Sequence, residues 1–283
     1  MRRLVLTENV ATLYGLASAL TWGAGDFYGG YASMKARVSG VVAYSQTIGC
    51  TLLLILAVAT GERLPSLTDL AWSMLGGVFS GLGLISYYAA LSRASMGYAA
   101  PATGVLTAVV PAAAGSFLEG SPSVQQAFGF FLAFASIALV AGFSTDHLRP
   151  RTVSLLPAAA GLCFGLFLVF LGQVSEGSYL YPLMVSRLLT VGLAFAVIRS
   201  VKSTPPPSKA LPYVVAAGVF DTAGSFFYLL ARQAGRLDVA GVLSSLYPVS
   251  TVLLAKTVLR EKLGRRRTAG IALAAAATTM INT

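Results

Sequence analysis

Gly77-Val78-Phe79-Ser80-Gly81-Leu82-Gly83 and Gly218-Val219-Phe220-Asp221-Thr222-Ala223-Gly224 stand 141 residues apart in a chain of 283. At the same shift Tyr87 falls on Tyr228 and Ala90 on Ala231, six identities in the sixteen positions from Gly76 to Leu91. A shift of 142 sets Trp22-Gly23 on Phe164-Gly165 and Glu119 on Glu261. Apolar sequence of low complexity produces chance matches, so no single segment is decisive. Agreement of four segments on half the chain length marks an internal duplication.

The duplicated unit is apolar. Hydrophobic residues make up 56% of the chain and charged residues 11%, against about a quarter charged in a soluble domain. So little charge cannot coat a soluble surface, and the outside must face lipid. A span needs about 20 mostly apolar residues. Ten such runs are present, at 11–31, 41–60, 70–91, 98–118, 124–143, 153–173, 179–199, 211–231, 239–259 and 266–282. The first is long enough to remain as a span rather than a cleaved leader, although Met1-Arg2-Arg3 precedes it. The expected fold is all-α integral membrane, with spans one to five in residues 1–145 and spans six to ten in 146–283. Five is odd, so the second unit enters the membrane from the opposite side. Ten transmembrane helices thus form two inverted five-helix repeats, a geometry that exposes a central cavity to alternate sides.

The formal charge of +10 does not point to nucleic acid, because the basic residues sit between apolar runs, where they orient the chain. The odd-numbered connections carry most of the 20 Lys and Arg. The ninth alone holds Lys256, Arg260, Lys262, Arg265, Arg266 and Arg267. The even ones carry Arg63, Arg232 and Arg236, with Arg2 and Arg3 at the N-terminus. This bias predicts termini outside and the ninth connection in the cytoplasm. Cys50 and Cys163 lie in apolar runs and His147 in a loop. No metal spacing, phosphate loop or Ser-His-Asp arrangement is visible, so neither a cofactor nor an enzyme is expected.

Three charges fall inside runs: Asp26, Arg187 and Asp221. Charges at that depth face a cavity or a partner. Asp221 or Asp26 is a candidate proton carrier and Arg187 a candidate anchor for a carboxylate; alternatively Arg187 and Asp221 form a buried pair. Trp22 and Asp26 share a helix face, four residues apart. Trp22, Tyr87, Phe164, Tyr228 and Tyr247 are the candidate substrate-binding walls, since rings at equivalent positions of two halves suit an apolar or aromatic solute. Gly23, Gly165 and Pro248 are candidate hinge or packing positions, two by small-residue spacing and one by a lost backbone donor.

Tyr87-Tyr88-Ala89-Ala90-Leu91, Tyr228-Leu229-Leu230-Ala231 and Pro248-Val249-Ser250-Thr251-Val252-Leu253-Leu254-Ala255, followed by Glu261-Lys262-Leu263, resemble the EamA-like ten-helix branch of the drug/metabolite transporter superfamily. Arg187 matches an arginine common early in the second span of a repeat, whereas the first half has Gln46. The usual Gly-Glu closing the fourth span reads Leu118-Glu119-Gly120 here, and Arg260-Glu261-Lys262 in the second half. The chain looks most like the YddG-type amino-acid exporters of bacterial inner membranes. That resemblance implies a multi-pass inner-membrane exporter of aromatic or other apolar amino acids such as methionine, working as a monomer in the bilayer, with protons a candidate coupling ion. A multidrug or sugar/nucleotide-sugar transporter shares the architecture. A membrane enzyme or signalling subunit would need catalytic groups or a soluble domain.

Overall fold

In lipid no water satisfies a backbone N–H or C=O, so an apolar run must close its own hydrogen bonds as a helix. The computed structural model describes residues 2–91, 96–141, 151–202, 204–258 and 264–282, and each of the ten apolar runs is helical there. The helices are α1 (Arg2–Ser33), α2 (Val38–Thr60), α3 (Leu67–Leu91), α4 (Met96–Leu118), α5 (Val124–Ala141), α6 (Arg151–Leu171), α7 (Leu180–Val201), α8 (Leu211–Ala234), α9 (Leu237–Ser244), α10 (Tyr247–Val258) and α11 (Arg265–Ile281). Among the described residues, five segments are long and apolar enough to cross a membrane: Val38–Thr60, Leu67–Tyr87, Leu180–Ser200, Ser208–Ala234 and Leu237–Leu254. Arg93, His147, Arg149, Arg260, Glu261 and Lys262 lie outside the described residues.

Two elements differ from the sequence reading. The helix of the first run reaches back to Arg2 and on to Ser33, which leaves Asp26 about two turns inside its end. The ninth run is not one helix. It breaks at Ser245 and Leu246 into α9 and α10, joined by tight turns in which the Leu246 N–H donates to Leu243 O and the Val249 N–H to Leu246 O. Pro248 then sits in the first turn of α10, where its missing N–H costs no helical bond.

The helices pair with two-fold regularity. α1 lies on α8 as α6 lies on α3; α2 lies on α8 as α7 lies on α3; α1 lies on α9 and α10 as α6 lies on α4. α2 meets α7, and α5 meets α11, each the counterpart of the other. The repeated stretch makes this possible. Gly77 brings α3 against the backbone of Ser186, and its counterpart Gly218 brings α8 against that of Ser45. A Cβ on Gly83 would meet the Phe164 ring at 2.7 Å; one on Gly224 would meet Trp22 Cγ at 2.7 Å. Both contacts obey the 141–142 shift on each side.

Loop contacts sort the connections onto two faces. On one face Thr12, nearly three turns into α1, donates to Asn282, which caps the end of α11, at 2.9 Å. There Glu62 accepts the N–H groups of Tyr179, Leu180 and Tyr181 that open α7, and Glu119 pairs with Arg232 at 2.8 Å and caps the Leu237 N–H at 2.9 Å. On the other face Arg37 of the first connection reaches Lys202 O of the seventh. Outward-facing side chains are apolar, Leu13, Val58 and Phe131 being more than 60% exposed, while Ser45, Thr107, Ser186 and Thr222 are buried. That is the inverse of a soluble surface.

If the glycine contacts hold the halves together, Gly83→Ala and Gly224→Ala will both lower the thermal midpoint of the purified protein. Gly192, with nothing within 4 Å of an added Cβ, should accept Ala with a gain of up to about 1 kcal/mol. Equal tolerance at all three positions would contradict this packing.

Candidate functional site

Arg187 organises the interior. It projects from α7 and is only 6% exposed, so its guanidinium must find partners inside the protein. One terminal nitrogen lies 2.6 Å from Asp221 Oδ2 of α8 and donates also to Gln46 Oε1 of α2. The other donates to Ser225 Oγ at 3.1 Å, and Gln46 Nε2 donates to the same Asp221 oxygen at 2.9 Å. Of the two readings of these charges, the ion pair is the arrangement present. It does not join packed neighbours: α7 and α8 touch little, and α2 packs against both. Gln46 bridges them, and it stands 141 residues before Arg187, so the two counterparts meet directly.

Around this cluster lies a cavity of about 120 Å³, space for a small metabolite rather than a lone water. Its walls are repeat counterparts: Trp22 with Phe164, Gln46 with Arg187, Ser80 with Asp221, Leu84 with Ser225, and Asp26 with Leu168. Tyr87, Thr107 and Tyr247 complete much of the wall. The five ring positions expected as walls lie on spans one, three, six, eight and nine. The structure adds α2 through Gln46 and α7 through Leu183, Ser186 and Arg187. Ser80 was in plain view as the counterpart of Asp221, and Gln46 as the counterpart of Arg187.

Four of the five expected ring walls, Trp22, Tyr87, Phe164 and Tyr247, line the cavity. Tyr228 does not. It is fully buried behind the wall, its ring stacked on Trp22 at 6.0 Å between centroids and its hydroxyl donating to Leu168 O. Trp22 Nε1 in turn donates to Asp221 O at 3.2 Å. Tyr87 meets Phe164 edge-on at 6.2 Å. Gly23 sits against Ser250 and the backbone of Tyr247 and Thr251, and Gly165 against Val110. These are counterpart contacts that bring α1 onto α10 and α6 onto α4.

The counterparts agree in position and differ in exposure. Asp26 is exposed into the cavity whereas Leu168 is buried; Tyr87 is half-exposed whereas Tyr228 is fully buried. The cavity is therefore closed toward the face that carries Glu62, Glu119 and Arg232. There α9 is buried along its whole length, and Arg232 ties Glu119, Gly172 O and Gly235 O together. Asp26 and Tyr87 lie toward the opposite face.

With this geometry in hand the comparisons are informative. The model of the EamA-like transporter family matches residues 9–142 and 152–283; the chain belongs to that family, which carries small molecules across membranes, and is a multi-pass membrane protein. A protein of known crystal structure superposes with a TM-score of 0.79 at 19% identity, over 95% of each chain, a likeness of fold. No curated protein matches the sequence.

Arg187→Met would leave Asp221 and Gln46 facing each other without a cation. It should lower stability by about 3 kcal/mol, the lower end of the range for a broken buried pair because Asp221 is about a third exposed to the cavity. Asp221→Asn keeps the hydrogen bonds and should cost less. Denaturation of the two variants in one detergent checks the order, and the reverse order would contradict it.

Proposed function

We propose that the chain is a secondary transporter that exports small metabolites by alternating access, foremost amino acids with aromatic or other apolar side chains such as phenylalanine and methionine. The observation that carries this reading is a cavity walled by repeat counterparts that, among the described residues, is closed on the face of Glu62, Glu119 and Arg232 and exposes Asp26 toward the other. Two halves that pair by the same contacts can trade conformations, so a site between them can exchange the open face for the closed one. Ring faces from Trp22, Tyr87, Phe164 and Tyr247 suit an apolar side chain, and the few polar groups beside them suit its amino-acid end.

On this reading the ten helices span the bilayer as two inverted repeats that divide near 145/146, with α9 and α10 together making the ninth span. Among the described residues, the basic first and seventh connections, with Arg37 and Lys202 in contact, lie on the face toward which Asp26 and Tyr87 point. By the positive-inside rule that face is cytoplasmic, so the arrangement is open to the cytoplasm, in the inner (plasma) membrane, with both termini outside. Both halves are covalently joined, so a monomer suffices. Protons are a candidate partner, and Asp26 is the acid free to exchange them because Asp221 is held by Arg187.

Purified protein in liposomes should give saturable flux of phenylalanine or methionine, absent from empty liposomes. Trp22→Ala and Tyr87→Ala should each reduce that flux at least several-fold while the protein stays folded. Unchanged flux in both variants would contradict the placement of the site, and flux of no amino acid would contradict the substrate class.

A further inference from the structure

Asp26 is the one cavity carboxylate with nothing to balance it. Among the described residues it accepts no hydrogen bond and pairs with no cation, although it is exposed into the cavity. Asp221 is satisfied by Arg187 and Gln46. Arg187 is in turn largely committed: three of its five N–H groups go to Asp221, Gln46 and Ser225, and its Nε is buried without a partner. Among the described residues the cavity thus carries two carboxylates against one guanidinium. A solute carboxylate would meet this excess negative charge and a cation whose charge Asp221 already offsets. An ammonium group would meet a bare carboxylate. The Tyr87 and Tyr247 hydroxyls and Asp221 are within electrostatic reach of Asp26, and Trp22, one helical turn away, lines the same cavity with Phe164. Rings beside a carboxylate favour a cation twice over, through charge and through their π faces. An unbalanced carboxylate at such depth is costly and is kept where it binds something.

We infer that Asp26 is the recognition point for a protonated amine carried on an aromatic or apolar body, with Trp22, Tyr87, Phe164 and Tyr247 enclosing that body. This rests on the transport reading of the same cavity and narrows it: the site reads the amine of its substrate and not the carboxylate. Arylalkylamines are substrates by this rule, and neutral amino acids enter through their amino end.

The test uses the full chain in lipid nanodiscs with Trp72→Phe as background. That leaves Trp22, in the cavity wall, as the only indole; Trp72 lies outside the wall, stacked on Phe170. Fluorescence titrations compare 2-phenylethylamine, phenylalanine and 3-phenylpropionate. Phenylethylamine should bind at least as tightly as phenylalanine, and phenylpropionate at least about tenfold more weakly. Asp26→Asn should weaken phenylethylamine about tenfold or more without weakening phenylpropionate, and Asp26→Glu should restore much of the loss. Phenylpropionate binding as tightly as phenylethylamine, or phenylethylamine indifferent to Asp26→Asn in folded protein, overturns the inference. If phenylalanine still binds and is transported in that case, the amino-acid reading survives its failure. If none of the three probes binds, both fall.

Discussion

A guanidinium at the centre of an apolar molecule is tolerated only where its charge and donors are met from several directions. Arg187 is met by Asp221 and Ser225 of its own half and by Gln46 of the other. The rest of the site follows from this cluster. It ties α7 and α8 through α2, and it commits Asp221 to a structural partner. Through the Asp221 carbonyl it also fixes the Trp22 indole. It leaves one acid, Asp26, for whatever enters. The fold therefore uses charge at depth in two ways, one pair within the second half that holds Gln46 of the first and, on the proposed reading, one residue to meet the solute.

On the proposed reading, symmetry of contact and asymmetry of exposure together give the molecule two states. Gly77 and Gly218, Gly83 and Gly224, and Gly23 and Gly165 bring counterpart helices into close contact at counterpart places, so a conformation built on one half is available to the other. What differs is which end is shut. The Arg232–Glu119 pair, the carbonyls that Arg232 gathers and the buried α9 shut one end. Asp26, exposed into the cavity, and Tyr87 lie toward the other end. On the proposed reading a solute that binds between them enters from that face, and the exchange of the halves supplies the way out at the other.

Much of this was legible in the sequence because lipid allows an apolar run few choices. All ten helical runs and the counterpart positions come from hydropathy and the repeat alone. Where the reading went astray, the cause is that sequence symmetry does not specify exposure. Tyr228 matches Tyr87 as a residue, yet it faces the closed half and serves as backing for Trp22. The break at Ser245 and Leu246 was hidden because Ser-Leu-Tyr-Pro reads as span sequence; Pro248 announces an interruption but falls just after it. Gln46 looked like a departure from a family arginine. Its amide, able both to donate and to accept, is what lets it sit between Arg187 and Asp221.

The claim that most needs an answer is that the closed face opens when the halves trade states. Spin labels at Ser121 and Ala234 would flank the Glu119–Arg232 pair, one on each half, in protein with Cys50 and Cys163 replaced. The account predicts a short distance in the free protein and a second, longer population when a transported solute is added, reduced by a cross-link between the two sites that also stops flux. A single distance, unchanged by solute in protein that still transports, would contradict it.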